Sequence, residues 1–163
     1  MNVRLLSSAL LMAVVAAGAA PRVAGQAGQT APPPRTVTIT VNDPVGEKMN
    51  YSLSQIIAKP GERLKVRIVS IAQTPKIVMA HNWVLLKLGS NAKAFSDAAA
   101  NHRDKDFIPP ALAGQILAQL PLAGPGDKFE VTFTVPKVPG TYPYLCTFAG
   151  HYVAGMAGNL IVK

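Results

Sequence analysis

Residues 36–42 read Thr-Val-Thr-Ile-Thr-Val-Asn, so that an apolar side chain occupies every second position. This period of two is typical of a β-strand with one buried face. The period returns in residues 64–69 and 129–135, and Pro-Gly pairs at 60–61 and 139–140 mark turns in the chain. Several short strands separated by Gly and Pro predict an all-β sandwich or barrel.

Residues 89–126 depart from this strand pattern. They are rich in Ala, and apolar side chains recur at helical spacing after Asn91, a residue type that often caps the start of a helix. The sequence therefore predicts a short helix inserted between strands at residues 91–102. Residues 111–120 also allow a helical interpretation, although the prolines on either side argue against it.

The first 35 residues differ in composition from the rest. Arg4 precedes an apolar run and then a group of small residues, which is the order found in a secretory signal peptide. We expect residues 1–20 to be this leader, with cleavage between 19 and 27, followed by a Pro- and Gly-rich linker over 21–35. An uncleaved membrane anchor is the alternative, but the apolar run is short against the roughly 20 residues that span a membrane. The remaining domain, residues 36–163, is expected to be exported to the periplasm or another space outside the cytoplasm.

The chain is basic. It has 16 Lys and Arg against 8 Asp and Glu, a net charge of +8, and loss of Arg4 with the leader leaves 15 against 8, or +7. Such a charge attracts acidic partners and speeds encounters with them. Nucleic acid is not an expected partner, because the basic residues are scattered and form no run interleaved with aromatic residues.

Cys146 is the only cysteine in the sequence. A disulfide within the chain is thereby excluded, although an exported protein reaches a compartment where disulfides persist. A single thiol in such a protein is either a buried, inert side chain or a functional group. The residues around it decide between these alternatives.

Residues 144–158 place a thiol, an imidazole and a thioether at intervals of five, at Cys146, His151 and Met156. Blue-copper sites combine two His and one Cys with a weak axial Met. The second imidazole is expected from His81, which interrupts an apolar segment where a polar side chain without a partner would be unfavourable. These residues predict one copper ion that cycles between Cu(II) and Cu(I).

Three other functions are weighed against electron transfer. A copper enzyme with a second metal centre needs further His clusters, and only His102, on a polar stretch, is unassigned. A hydrolase built on Cys146 and His151 leaves His81 and Met156 unexplained. A copper carrier that delivers metal usually exposes clusters of Met or His, whereas these ligands lie among apolar segments. We therefore expect an electron carrier and not an enzyme, with copper delivery as the alternative.

Two motifs resemble those of the cupredoxins, and within them the azurin and auracyanin branch. Residues 79–84 read Met-Ala-His-Asn-Trp-Val and residues 146–151 read Cys-Thr-Phe-Ala-Gly-His. The resemblance extends over residues 36–163. It implies a Greek-key β-sandwich or barrel and a small blue-copper protein that passes electrons between a donor and an acceptor, such as cytochromes or a membrane redox complex.

The resemblance also implies a role for each site residue. His81, Cys146 and His151 would be equatorial ligands and Met156 the axial ligand, with His151 as the exposed ligand through which electrons pass. A second group would support them: Asn82 and Thr147 as a hydrogen-bonded pair, Phe148 through nearby backbone amides, and Ala80 through a weak axial carbonyl. Ala80 stands where azurin has Gly, and four residues separate His151 from Met156 where azurin has three. These departures suggest four-coordinate copper with a stronger contribution from methionine.

Overall fold

Eight strands and one short α-helix form the described part of the chain, which covers residues 32–43 and 49–163 of a computed structural model. The strands are β1 (Arg35–Val41), β2 (Gln55–Ala58), β3 (Arg63–Ser70), β4 (His81–Leu86), β5 (Ile116–Ala123), β6 (Lys128–Thr134), β7 (Gly140–Leu145) and β8 (Ala157–Val162). The helix α1 spans Ala92–Ala99, and 3₁₀ turns lie at Arg103–Lys105 and Pro110–Gln115. The predicted leader, residues 1–20, and the predicted linker as far as Ala31 lie outside the described residues.

The strands form two sheets. One has the order β1-β3-β6, with β1 parallel and β6 antiparallel to β3. The other has the order β2-β8-β7-β4-β5, in which β2 is parallel to β8 and the remaining neighbours are antiparallel. The predicted all-β sandwich is confirmed, and within the described residues the two sheets do not close into a barrel.

The core lies between the two sheets. In β3 the side chains alternate, so that Leu64, Val66 and Ile68 are fully buried while their neighbours are partly exposed. Trp83 and Leu85 of β4 belong to the same core cluster. Burial of each large apolar side chain contributes about 1.5–3 kcal/mol to folding. The shared core therefore holds the five-stranded sheet, which contains β4, against the three-stranded one.

The predicted helical insertion is confirmed, although it is shorter than residues 91–102. Helix α1 begins after Asn91, whose side chain accepts a 3.0 Å hydrogen bond from the amide of Ala94. Phe95 and Ala99 are buried, and Phe95 packs with Val84 of the neighbouring sheet. The helix therefore covers one face of the five-stranded sheet.

The helical interpretation of residues 111–120 is wrong beyond Gln115. A 3₁₀ turn ends there, and β5 follows with buried positions at Ala118, Leu120 and Leu122. Pro121 lies within this strand, which is tolerated because β5 is the edge strand of its sheet and its register with β4 shifts there. No α-helix among the residues described is long and apolar enough to cross a membrane.

Candidate metal centre

The ends of three neighbouring strands bring the predicted ligands together. His81 is the first residue of β4, Cys146 directly follows β7, and Met156 directly precedes β8. Because β7 is antiparallel to both β4 and β8, the end of β7 and the starts of β4 and β8 lie at the same end of the sheet. His151 lies in the loop that joins β7 to β8, so the four side chains come from one strand start and one loop.

Three of these side chains form a compact buried cluster. Donor atoms of His81, Cys146 and His151 all lie within 4.8 Å of one another. The Cys146 sulfur is 3.4 Å from Nδ1 of His151, and the two imidazole ring centres are 5.0 Å apart. His81 and Cys146 are fully buried and His151 is 3% exposed. This spacing allows one ion to contact all three donors.

The loop from Cys146 to Met156 is closed by its own backbone. The amide of Cys146 donates to the carbonyl of Met156 at 3.0 Å, and the amide of Met156 donates to the carbonyl of His151 at 2.9 Å. Gly150 and Gly155 have φ values of +84° and +105°, which other residues rarely adopt. Met156 is fully buried in the same core cluster as Cys146, so its side chain faces the interior of the protein.

Asn82 and Thr147 form the predicted hydrogen-bonded pair. The Asn82 side-chain amide donates to the Thr147 hydroxyl at 2.7 Å, and the Thr147 amide donates to Asn82 Oδ1 at 2.8 Å. Both residues are buried. Each lies directly beside a predicted ligand, so the pair links the start of β4 to the loop after β7.

The two histidines are suited to bind a metal. Neither ring nitrogen of His81 has a hydrogen-bond partner among the described residues, although the side chain is fully buried. Burial lowers the pKa of His81 and, with His81 nearby, lowers the pKa of His151 to about 4. Both rings are therefore neutral at ordinary pH and offer lone pairs. Buried polar atoms without a partner are unfavourable unless a ligand satisfies them.

Cys146 must lose a proton to become a ligand. Burial raises the pKa of its thiol to about 12, while the backbone N–H groups of Asn82 and Phe148 face the sulfur and oppose that shift. With a metal ion bound beside it, Cys146 would give up its proton to solvent and stay as the thiolate. One thiolate, two imidazoles and a thioether are a donor set that suits copper.

His151 is less exposed than predicted. Only 3% of the residue is exposed, so the prediction that His151 is an exposed ligand is wrong. The reason is that aromatic rings cover the imidazole. The ring centre of Phe148 is 4.5 Å from that of His151, and the ring centre of Phe107 is 4.7 Å from that of Phe148. Phe148 is therefore close to the centre through its side chain as well as its amide.

Two further predicted positions lie around the centre. Ala80 is fully buried and packs with Ala99, Phe107 and Leu122. The contribution of its carbonyl to a metal stays a prediction. His102 lies at the start of a 3₁₀ turn and is not part of the His-Cys-His cluster found among the described residues.

Tyr51 also belongs to this centre, and the sequence did not indicate it. Its hydroxyl donates to the backbone carbonyl of Asn82 at 2.5 Å, and the residue is 2% exposed. Burial, with smaller effects of Cys146 and Tyr144, raises the pKa of Tyr51 well above its usual range, so the hydroxyl stays protonated. Tyr51 precedes β2, and no spacing to the ligand motifs marks it.

Comparison with known proteins identifies the family. Residues 37–163 match the family described as copper binding proteins, plastocyanin/azurin family. The chain belongs to this plastocyanin/azurin family. His81, Cys146 and His151, with Met156, stand in the position of its type 1 copper site.

Similar members of the plastocyanin/azurin family include auracyanins and azurins. Auracyanin-B of Chloroflexus aurantiacus is 47% identical over 83 residues, which are 50% of this chain and 35% of that protein. Azurin of Pseudomonas chlororaphis is 32% identical over 120 residues, or 72% of this chain and 92% of that protein. The structure of dithionite-reduced auracyanin from Roseiflexus castenholzii has a TM-score of 0.66 and 31% identity, and the match covers 78% of this chain and 96% of that one. These matches agree with the cupredoxin fold.

Proposed function

We propose that this chain is a type 1 blue-copper electron-transfer protein and not an enzyme. His81, Cys146 and His151 would hold one copper ion, and Met156 would supply a fourth donor. The observation that carries the proposal is the buried cluster of three donors within 4.8 Å of one another. Within the part of the chain that the structure describes, both ring nitrogens of His81 lack a hydrogen-bond partner. Bound copper supplies a one-electron couple between Cu(II) and Cu(I).

The chain's own contribution is to hold the donors still. Backbone hydrogen bonds join Cys146, Met156 and His151 in sequence around the loop. The Asn82–Thr147 pair fastens that loop to β4. Donors fixed in this way move little when the charge at the site changes, and a small movement favours fast electron transfer. Burial of the cluster also excludes water that would compete for the site.

Electrons would enter and leave near the small exposed part of His151. Val153, two residues further along the loop, is 75% exposed, and Ile77 and Val78 are 76% and 62% exposed in the turn that leads to His81. Exposed apolar side chains on the segments that carry His81 and His151 suit brief contacts with redox partners. The partners would be an electron donor and an electron acceptor, such as cytochromes or a membrane redox complex, and the basic chain favours acidic surfaces on them.

We further propose that the protein is exported and works in the periplasm or a similar compartment. The basic, apolar and small-residue order of the first 20 residues supports this location. N-terminal sequencing of the protein recovered from the producing cells tests it. We expect a first residue that follows a cut between 19 and 27, whereas an intact leader in the membrane fraction would support an anchored form.

Anaerobic titration with Cu(II) tests the electron-transfer function. Wild-type protein and the His102→Ala control should bind one copper ion and become intensely blue, with an electron-paramagnetic-resonance spectrum typical of a copper-thiolate site. Cys146→Ser should bind without the blue colour. A Cys146→Ser protein as blue as the wild type would overturn the proposal. Copper lost readily to a weak chelator, with no reversible redox wave, would instead support copper delivery.

A further inference from the structure

Asn82 occupies an irregular position in β4. His81 pairs with Ala123 and Trp83 pairs with Leu120, so β5 carries one extra residue there and the register skips Asn82. On the other side, β7 pairs only with Val84 and Leu85. Neither ladder pairs Asn82, and such a bulge leaves backbone groups that need other partners.

The hydroxyl of Tyr51 supplies one of these partners. It donates to the Asn82 carbonyl at 2.5 Å from a side chain that is 2% exposed. The segment that carries Tyr51 is itself fixed, because Ser52 and Thr40 exchange hydrogen bonds of 2.8 and 3.1 Å through the Ser52 hydroxyl and amide. The ring of Tyr144 lies 5.6 Å away. Tyr51 is therefore a rigid donor held between the sheets.

Asn82 contacts the predicted metal centre in two ways. Its side chain holds Thr147, the residue after Cys146, and its backbone N–H faces the Cys146 sulfur. The conformation of Asn82 sets both contacts at once. A donor that fixes the Asn82 carbonyl restricts backbone rotation at Asn82, the residue whose own N–H faces the Cys146 sulfur.

We propose that Tyr51 is a positioning residue of the copper centre, which acts through Asn82 to keep the amide of Asn82 directed at the Cys146 sulfur. This inference rests on the proposed copper site. An N–H group directed at a thiolate withdraws electron density from the sulfur, which weakens its donation to the metal and favours the reduced state. Loss of the Tyr51 hydroxyl should therefore lower the reduction potential.

Tyr51→Phe tests this role, with Tyr142→Phe as a matched control. The Tyr142 hydroxyl also donates to a backbone carbonyl, that of Val138 at 2.7 Å, and the residue is 3% exposed on β7. In copper-loaded Tyr51→Phe the equilibrium constant for reduction should fall by about threefold to tenfold, tenfold being about 59 mV for a one-electron couple. Tyr142→Phe should keep the wild-type potential. Equal shifts in both variants would overturn the role.

Amide hydrogen exchange in the metal-free protein is a second test, and it does not depend on copper. The Thr147 amide, which donates to Asn82 Oδ1, should exchange its hydrogen at least about tenfold faster in Tyr51→Phe than in wild type or Tyr142→Phe. A colourless copper-loaded wild type would refute the proposed function, and amide exchange would still decide the role of Tyr51. A blue wild type, with potential and exchange unchanged in Tyr51→Phe, would refute only the role of Tyr51.

Both substitutions remove one oxygen atom and keep the ring, and circular dichroism checks that each variant folds. If Tyr51→Phe does not fold, the wild-type protein itself decides the question. Its Tyr51 hydroxyl proton should give a slowly exchanging nuclear-magnetic-resonance signal with a nuclear Overhauser effect to the Trp83 amide. Absence of that signal would overturn the proposal.

Discussion

Asn82 and Thr147 are joined by two buried hydrogen bonds, of 2.7 and 2.8 Å, across 65 residues of sequence. Asn82→Ala removes both bonds and leaves the Thr147 amide and hydroxyl buried without these partners. Each such group costs about 1–3 kcal/mol, so the free energy of unfolding of the metal-free protein should fall by about 2–4 kcal/mol.

Urea denaturation measures this loss. Asn101→Ala is the control, because Asn101 is exposed, and such substitutions usually change stability by less than about 0.5 kcal/mol. If Asn82→Ala is as stable as Asn101→Ala, the pair does not fasten the loop to β4. Copper-loaded Asn82→Ala should also release the metal faster, because Cys146 then lies on a looser loop.

Gly158 is predicted to tolerate no side chain. A Cβ atom at this position would overlap the Tyr144 ring and hydroxyl, and it would lie 2.6 Å from the carbonyl oxygen of Ser54. Overpacking of this kind costs about 1–3 kcal/mol or more. Gly158→Ala should therefore lower the thermal midpoint by several degrees. Gly114→Ala should leave it unchanged, because a Cβ atom there meets no described atom within 4 Å other than those of its chain neighbours. Equal midpoints for the two variants would contradict this packing.

The sequence predicted the three-stranded sheet better than the five-stranded one. β1, β3 and β6 each have one face to solvent, which produces a visible alternation of side chains. β4 is buried at all six positions, so the apolar segment around it carries no alternation that fixes its ends. Leu112, in the 3₁₀ turn, has helical spacing with Ile116 and Leu120 of β5. Within β5, however, Ala118, Leu120 and Leu122 alternate toward the core. Tertiary packing selected the second pattern.

For the metal centre, local spacing was informative only where the side chains lie on one loop. Cys146, His151 and Met156 follow one another within 11 residues, and His81 was indicated by its apolar surroundings. Tyr51 reaches Asn82 across 31 residues of sequence. This contact depends on the bulge between β4 and β5, which leaves the Asn82 carbonyl unpaired in the ladder. No local sequence pattern reveals such a bulge.

The stability of the metal-free protein should have a maximum between about pH 6.5 and pH 9. The folded pKa of His151 is about 4, below its ordinary 6.5, so the unfolded chain binds more protons and stability falls as the pH drops from 6.5 toward 4. His81 acts in the same direction. The folded pKa of Cys146 is about 12, above its ordinary 9.0, so the unfolded thiol ionises first and stability falls as the pH rises above 9.

Urea midpoints measured from pH 4 to pH 10 check both losses of stability. Cys146→Ser should lose stability less steeply above pH 9 than wild type does, and as steeply below pH 6.5. Copper-loaded wild type should lose less stability at acid pH than the metal-free protein, because the metal competes with protons for the imidazoles. A metal-free protein whose stability does not change between pH 4 and pH 7 would show that the two histidines are not held neutral by burial.

His81→Ala and His102→Ala should separate the metal ligand from the remaining histidine. His81 is fully buried in the cluster, and its two ring nitrogens have no partner in residues 32–43 and 49–163. His102 starts a 3₁₀ turn outside the cluster. Loss of partners that only support a ligand already costs about 10–100-fold in metal affinity, so His81→Ala should lose at least about 100-fold. Competition with a chelator of known copper affinity measures the loss, and added imidazole should restore part of the binding by entering the vacated space. Unchanged affinity in His81→Ala would mean that the ion is held by Cys146 and His151 without it, and the three-donor centre would have to be abandoned.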